Sequence, residues 1–172
     1  NERGERIPLT IVDSDGEKGT VTIIYQIVGK TTALMSEIAV GDEIQDVQGP
    51  LGNPTEIENY GHVVCIGGGV GVGVIYPITR ALKDAGNRVT SIIGARNRSL
   101  IILEEEMRAA SDKLVVATDD GSYGVHGFVS NVLQGIIDGG EKIDRVFAIG
   151  PVPMMKVIAN LTRPYGIKTI VS

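Results

Sequence analysis

His62-Val63-Val64-Cys65-Ile66-Gly67-Gly68-Gly69-Val70-Gly71-Val72-Gly73 joins a short apolar run to clustered glycines, and a helix-compatible segment, Val74 to Ala85, follows directly. A buried strand that opens through glycines into a helix lets backbone N–H groups approach a pyrophosphate at the helix N-terminus. The same pattern serves wherever strand and helix pack closely, so the stretch carries two readings, a dinucleotide loop and a packing loop. Under the first, a Cβ added at Gly69 or Gly71 is expected to remove several kcal/mol of dinucleotide affinity through clash and lost N–H contacts.

The order of the surrounding segments decides the fold. Val63 to Ile66, Arg88 to Ile93, Lys113 to Thr118, Arg145 to Ile149 and Lys168 to Val171 read as short β-branched strands. Val74 to Ala85, Leu100 to Ala110, Gly127 to Gly139 and Met154 to Leu161 read as helices between them. This alternation predicts a doubly wound, parallel five-stranded α/β sheet covered on both faces. Ligands of such sheets sit beyond the carboxyl ends of the strands, where the strand order reverses. The loops at that edge, 67–73, 94–99, 119–124 and 150–155, are rich in Gly, Asp, Ser, Arg or Pro.

The first third of the chain has a different period. Ile7 to Val12 and Thr20 to Val28 alternate apolar and polar residues around the turn-rich segment 13–19, as a hairpin does. Thr32 to Ile38 has helical spacing with Thr31 or Thr32 as N-cap, and Glu43 to Val47 reads as another strand. Three strands rarely close a barrel, so this part is expected to be a piece of a larger antiparallel β-barrel. The expected domains are 1–57 and 58–172.

Composition narrows the function. A net charge of −5 argues against nucleic acid or an anionic membrane as the main partner. The single cysteine, Cys65, excludes an internal disulfide or a multi-cysteine metal site in these 172 residues, and no metal ligand set is expected. No apolar run reaches the roughly 18–20 residues that cross a bilayer and no signal-like start is present, which makes a cytoplasmic location the default. Glu104-Glu105-Glu106 reads as a solvated helix face, and His62 and His126 as edge and loop residues.

Taken in order, Arg6-Ile7-Pro8-Leu9-Thr10, Gly29-Lys30-Thr31-Thr32, Gly49-Pro50-Leu51-Gly52-Asn53, Gly67 to Gly71, Gly94-Ala95-Arg96-Asn97, Thr118 to Gly124 and Gly150-Pro151-Val152-Pro153-Met154-Met155 resemble the ferredoxin–NADP reductase superfamily. Within it, they are most similar to the electron-transfer subunit group of dihydroorotate dehydrogenase subunit K, the small subunit of NADH-dependent ferredoxin–NADP oxidoreductase, sulfide dehydrogenase and the sulfhydrogenase gamma subunit. The resemblance implies a ferredoxin reductase-like NAD(P)-binding domain preceded by part of a flavin-binding barrel. It also implies an FAD-dependent oxidoreductase subunit that passes hydride from NAD(P)H to FAD and electrons onward to an iron–sulfur partner in a hetero-oligomer.

For FAD the resemblance implies Arg6, Pro8, Leu9, Thr10, Gly29, Lys30, Thr31 and Thr32, with Thr10 the catalytic hydroxyl near flavin N5. Arg6 stands one residue earlier than the family's common pattern. For NAD(P) it implies Gly68, Gly69, Val70, Gly71, Ala95, Arg96, Thr118, Asp119, Asp120, Gly121, Ser122, Gly150, Pro151 and Met154. Ile149 stands where many relatives carry a cysteine. Asp119 and Asp120 read as turn formers and nicotinamide-side contacts rather than as acid and base. Arg96 and Arg98 leave NAD against NADP open.

Many members carry further barrel strands and a four-cysteine [2Fe–2S] segment, which this chain lacks, so a fragment of a longer subunit is expected. Two other classes fit parts of the pattern: a nucleotide-binding module without turnover, and an S-adenosylmethionine-dependent methyltransferase, which also places glycines after its first strand.

Overall fold

The computed structural model describes residues 5–172, and the chain divides into two compact units, 1–56 and 57–172.

In the first unit, β1 (Ile11–Asp15) and β2 (Thr20–Ile23) form an antiparallel pair with an irregular register between Ile11 and Asp13. The Asp15 carboxylate accepts from the N–H groups of Glu17 and Lys18 and pairs with the Lys18 ammonium, closing the turn. Pairing begins at Ile11 and ends at Ile23, so the expected strands at 7–12 and 20–28 are displaced and shortened. Glu43 to Val47 is not a strand. The physical reason is pairing: alternation makes a strand only where a neighbour accepts its hydrogen bonds, and this sheet has two members. Val12 and Thr32 are the only buried residues among those described in this unit, and Val28, Val47 and Leu51 are exposed.

Helix α1 (Lys30–Met35) corrects the expected cap. Gly29 is the N-cap and has no side chain to offer, so the Thr32 hydroxyl reaches back. It accepts from the N–H of Val28 and Gly29, both at 3.1 Å, and donates to the Gly29 carbonyl at 2.9 Å.

In the second unit, six parallel strands are β3 (His62–Gly68), β4 (Arg88–Ala95), β5 (Lys113–Thr118), β6 (Val125–His126), β7 (Arg145–Ile149) and β8 (Lys168–Val171). Their spatial order is β6-β5-β4-β3-β7-β8. The five expected strands are all present, and the two-residue β6 extends the edge where the sequence reads as loop. Helices α2 (Gly71–Asp84), α3 (Glu104–Ala109), α4 (Val129–Asp138) and α5 (Val152–Thr162) connect them. The third helix is shorter than its pattern because residues 98–100 form a 3₁₀ turn and Leu103, at φ 54, breaks the run before it.

Alternation along β3 builds both cores. Val63 and Cys65 join Val72, Ile75, Leu82 and Met107 of α2 and α3 on one face. Val64 and Ile66 join Val129, Leu133, Ile136 and Ile158 of α4 and α5 on the other. Two helices per face make the unit doubly wound. The order grows from β3 through β4 to β5 and then returns to β7 on the other side of β3, so the carboxyl ends of β3 and β7 form the switch point.

His62 is not an edge residue. It is buried, its ring nitrogens lie 2.8 Å from the Lys142 carbonyl and 2.9 Å from the Thr90 hydroxyl, and its N–H donates to Asp144. Cys65 is wholly buried, and desolvation pushes its thiol up to about 12. The folded protein is therefore expected to resist iodoacetamide at about pH 8 and to react fully in denaturant. Fast labelling without denaturant would show that the sheet opens on its own.

No helix among the described residues is long and apolar enough to cross a membrane.

Candidate dinucleotide site at the strand carboxyl ends

The turn after β3 is built from unequal glycines. Gly69 lies at φ +57, a left-handed conformation that a side chain rarely adopts, and its N–H donates to the Gly94 carbonyl at 2.8 Å. A Cβ there meets nothing within 4 Å, so this side of the turn is open. The N–H groups of Val70 and Gly71 have no acceptor among the described residues. No side chain caps α2, which leaves the positive end of a 14-residue helix beside the open turn.

Gly71 is different. A Cβ on it falls 2.4 Å from the Ile149 carbonyl oxygen and 2.9 Å from Gly150 Cα. Its smallness lets α2 dock on the end of β7. The expectation that both glycines serve ligand approach is corrected: Gly69 faces open space, whereas Gly71 is filled by the protein's own backbone.

Gly150 follows β7, Pro151 is the N-cap of α5, and Met154 stands in the first turn of that helix. The Met154 thioether lies over the switch point. A Cβ on Gly68 meets its Sδ at 2.5 Å, and a Cβ on Gly150 meets its Cε at 2.8 Å.

Beyond β4 and β5 the loops are tied together. The N–H groups of Asp119 and Asp120 donate to the carbonyls of Ala95 and Arg96 at 3.1 and 3.2 Å. The Arg98 N–H donates to the Ser122 hydroxyl at 2.9 Å. Asp120 accepts from the Ser122 N–H, and hydrogen bonds from Ser122 hold its carboxyl below the usual carboxylate range. Gly121, at φ +73, turns the chain there. Thr118 is buried, and its hydroxyl accepts from the Tyr123 N–H and donates to the Tyr123 carbonyl, which closes the loop on itself. Arg96 and Asp119 are exposed. All fourteen residues expected to bind NAD(P) thus belong to the four loops and strand ends at one edge of this sheet, though Thr118 and Gly71 are engaged within the protein.

In the first unit, the Thr31 hydroxyl accepts from the Glu5 N–H at 3.3 Å, and the Arg6 guanidinium pairs with Asp46. Pro8, Thr10, Gly29 and Lys30 are exposed and Leu9 is half-buried. Residues 6–10 are not in a strand. Among the described residues no group of three or more His, Cys, Asp or Glu could hold a metal ion.

Comparison with known proteins adds a decisive likeness. The chain is 46% identical over all 172 residues to a protein of Thermotoga maritima named as a homolog of the dihydroorotate dehydrogenase B (NAD(+)) electron transfer subunit. It is 38% identical over 158 residues, 90% of its length, to the dihydroorotate dehydrogenase B (NAD(+)) electron transfer subunit of Bacillus caldolyticus. A solved chain from a study of the NADH-dependent reduced ferredoxin-NADP oxidoreductase matches with a TM-score of 0.93 and 44% identity, over 100% of this chain and 62% of that one. This chain is a homologue of electron-transfer subunits, with a ferredoxin reductase-like fold. It spans 60% of the length of the two curated relatives. No family model matches it.

One network in the second unit is not fully legible in the sequence. The Tyr123 hydroxyl donates to Glu104 at 2.9 Å, Arg108 pairs with the same carboxylate at 2.7 Å, and the Arg98 guanidinium lies 5.1 Å from the Tyr123 ring centroid. The hydrogen bond to Glu104 pushes the Tyr123 phenol above its usual range. Glu104 is thus a strut between α3 and the β5 loop rather than a solvated charge. Its spacing of four from Arg108 was a legible signal; the phenol that joins them was not.

Proposed function

We propose that the chain is the NAD(P)H-binding part of an FAD-dependent electron-transfer oxidoreductase subunit, which takes hydride from NAD(P)H and sends electrons to an iron–sulfur partner. The observation that carries this reading is the open Gly69 turn, with the N–H groups of Val70 and Gly71 free to receive an anion at the start of α2. A dinucleotide pyrophosphate fits that cradle, since it needs close backbone approach and unpaired donors. Homology to NAD-linked electron-transfer subunits supports it independently.

In this reading Val70 and Gly71 hold the pyrophosphate, and Ala95, Arg96, Asp119, Asp120, Gly121 and Ser122 line the way along β4 and β5. Gly150 and Pro151 receive the nicotinamide half, and Met154 lies over that end of the site. Thr118 acts by shaping its loop rather than by touching the ligand, and Gly71, whose Cα side packs on Ile149, offers the ligand only its N–H. FAD, when bound, accepts hydride and releases electrons one at a time. For it the chain offers the exposed Gly29-Lys30 peptide, the Thr31 hydroxyl, Arg6 and the Pro8-Leu9-Thr10 segment, with Thr10 in the catalytic role. With a single cysteine, these residues supply no [2Fe–2S] ligand set, so the cluster belongs to the rest of the protein or to a partner subunit. A cytoplasmic location goes with this reading.

The test is calorimetry on the 172-residue chain with NADH, NADPH, FAD and S-adenosylmethionine. Binding of a reduced nicotinamide dinucleotide is expected, with FAD weak because the first unit buries so little. Tight S-adenosylmethionine binding without NAD(P)H binding would reverse the assignment in favour of a methyltransferase. NAD(P)H binding that never supports flavin reduction, even in the longer subunit, would favour a nucleotide-binding module without turnover.

A further inference from the structure

Gly68 ends β3 and Gly150 follows the adjacent β7 at the switch point, and the absence of both side chains leaves a hollow between them. One flexible group fills it. Met154 Sδ stands where a Gly68 side chain would begin and its Cε where a Gly150 side chain would begin, at 2.5 and 2.8 Å from the respective Cβ positions. Pro151 Cδ, 3.2 Å from the Gly68 Cβ position, forms the other wall. Met154 is only half-buried and packs against the core that lies under α4 and α5. An unbranched thioether with three rotatable bonds leaves a hollow more readily than a branched side chain and forms favourable contacts with an aromatic ring edge.

We propose that Met154 is a displaceable plug: its thioether occupies the nicotinamide end of the site in the free protein, and the nicotinamide ring takes its place on binding. This rests on the dinucleotide reading of the site. The hollow lies next to Gly69, whose open side receives the pyrophosphate, so a ligand anchored there carries its nicotinamide half toward the Met154 end rather than toward Ala95 and Arg96. The displacement makes the protein discriminate between dinucleotide halves. ADP-ribose, which has the pyrophosphate and no nicotinamide, leaves the plug seated, whereas NADH works against it. A closed plug lowers apparent NADH affinity by the fraction of molecules in which the hollow is open.

The experiment uses the chain with its methionine methyl groups labelled with ¹³C, four in all, the Met154 signal being assigned by its loss in Met154→Leu. In the free chain the Met154 methyl is expected to show nuclear Overhauser contacts to the Hα atoms of Gly68 and Gly150. Saturating NADH should abolish these contacts and ADP-ribose should preserve them. In calorimetry, Met154→Ala should raise NADH affinity by about threefold to tenfold while leaving ADP-ribose affinity within about twofold. Contacts that survive saturation with NADH overturn the plug, and they do so in the unmutated protein whatever the fate of the variant. Failure of both NADH and ADP-ribose to bind overturns the dinucleotide reading itself and the plug with it.

Discussion

Gly71→Val is expected to destabilise the α/β unit itself by about 3 kcal/mol or more, because its side chain has nowhere to go. The Cβ position lies 2.4 Å from the Ile149 carbonyl oxygen and 2.8 Å from the Ile149 carbonyl carbon. Those atoms belong to the backbone of a central strand, so no rotamer change relieves the contact and α2 must move off β7. Gly69→Ala is the contrasting variant. Its methyl enters open space, and the left-handed backbone costs roughly 1–2 kcal/mol, which a domain of ordinary stability of about 5–15 kcal/mol survives. The same methyl stands where a pyrophosphate approaches, so dinucleotide affinity should fall by at least about tenfold. Denaturant melts and NADH calorimetry on both variants separate the roles. A Gly71→Val protein that melts like the parent would show that the turn is not set by that contact; a Gly69→Ala protein that binds NADH normally would take Gly69 out of the site.

The contrast shows where sequence reading stops. A cluster of glycines after a strand was enough to place the turn, its helix and the edge of the sheet. It could not say which glycine faces a ligand and which faces Ile149, because paired residues of the two strands concerned, such as Val64 and Val146, are far apart in sequence and the answer lies in their spacing in the folded sheet. The α/β unit was legible since β3 and β7 are apolar on both sides and α2 and α4 carry an apolar stripe. These patterns are local and mutually consistent. The first unit was less so. Residues 24–28 and 43–47 have strand-forming residues, but a strand exists only when paired with another along its backbone, and among the described residues neither segment is so paired.

Hydroxyl and carboxylate residues were read least well. Thr32 looked like a cap and caps from the third helical position, Thr118 looked like a ligand contact and closes its own loop, and Glu104 looked solvated and bridges two elements. In each case the residue type announced a polar interaction and the partner was set by tertiary structure. Asp120 does form the expected turn, because its partner Ser122 is only two residues away.

The same limit hid a second residue whose replacement should strongly unsettle the second unit. Asn87 sits between α2 and β4, is 2% exposed, and uses its whole side chain. Its Oδ1 accepts from the N–H groups of Tyr60 at 2.7 Å and Gly61 at 3.2 Å. Its Nδ2 donates to the carbonyls of Glu58 at 2.8 Å and Leu82 at 2.7 Å. An amide alone among side chains of this size offers both acceptor and donors, so Asn87 fastens the segment entering β3 to the end of α2. Asn87→Asp keeps the shape and the two accepted bonds but aims a charged oxygen at two carbonyls. That is expected to cost about 4 kcal/mol at neutral pH, from two lost donors and a buried charge without a cation. Asn87→Ala, which leaves four polar backbone groups without this partner but buries no charge, should cost about 2–3 kcal/mol. The pH dependence gives the sign. Burial against carbonyls raises the introduced carboxyl's pKa in the folded state, so the folded state binds more protons than the unfolded one, and the deficit relative to the parent shrinks as pH falls. The parent must be melted at each pH as the reference, because Asp112 and Asp144, whose carboxyls are held low by Lys83 and Lys142, lose their stabilising contribution over the same acid range. Denaturant melts showing Asn87→Asp at parental stability, or a deficit that grows on acidification, would mean that the amide does not form this clasp.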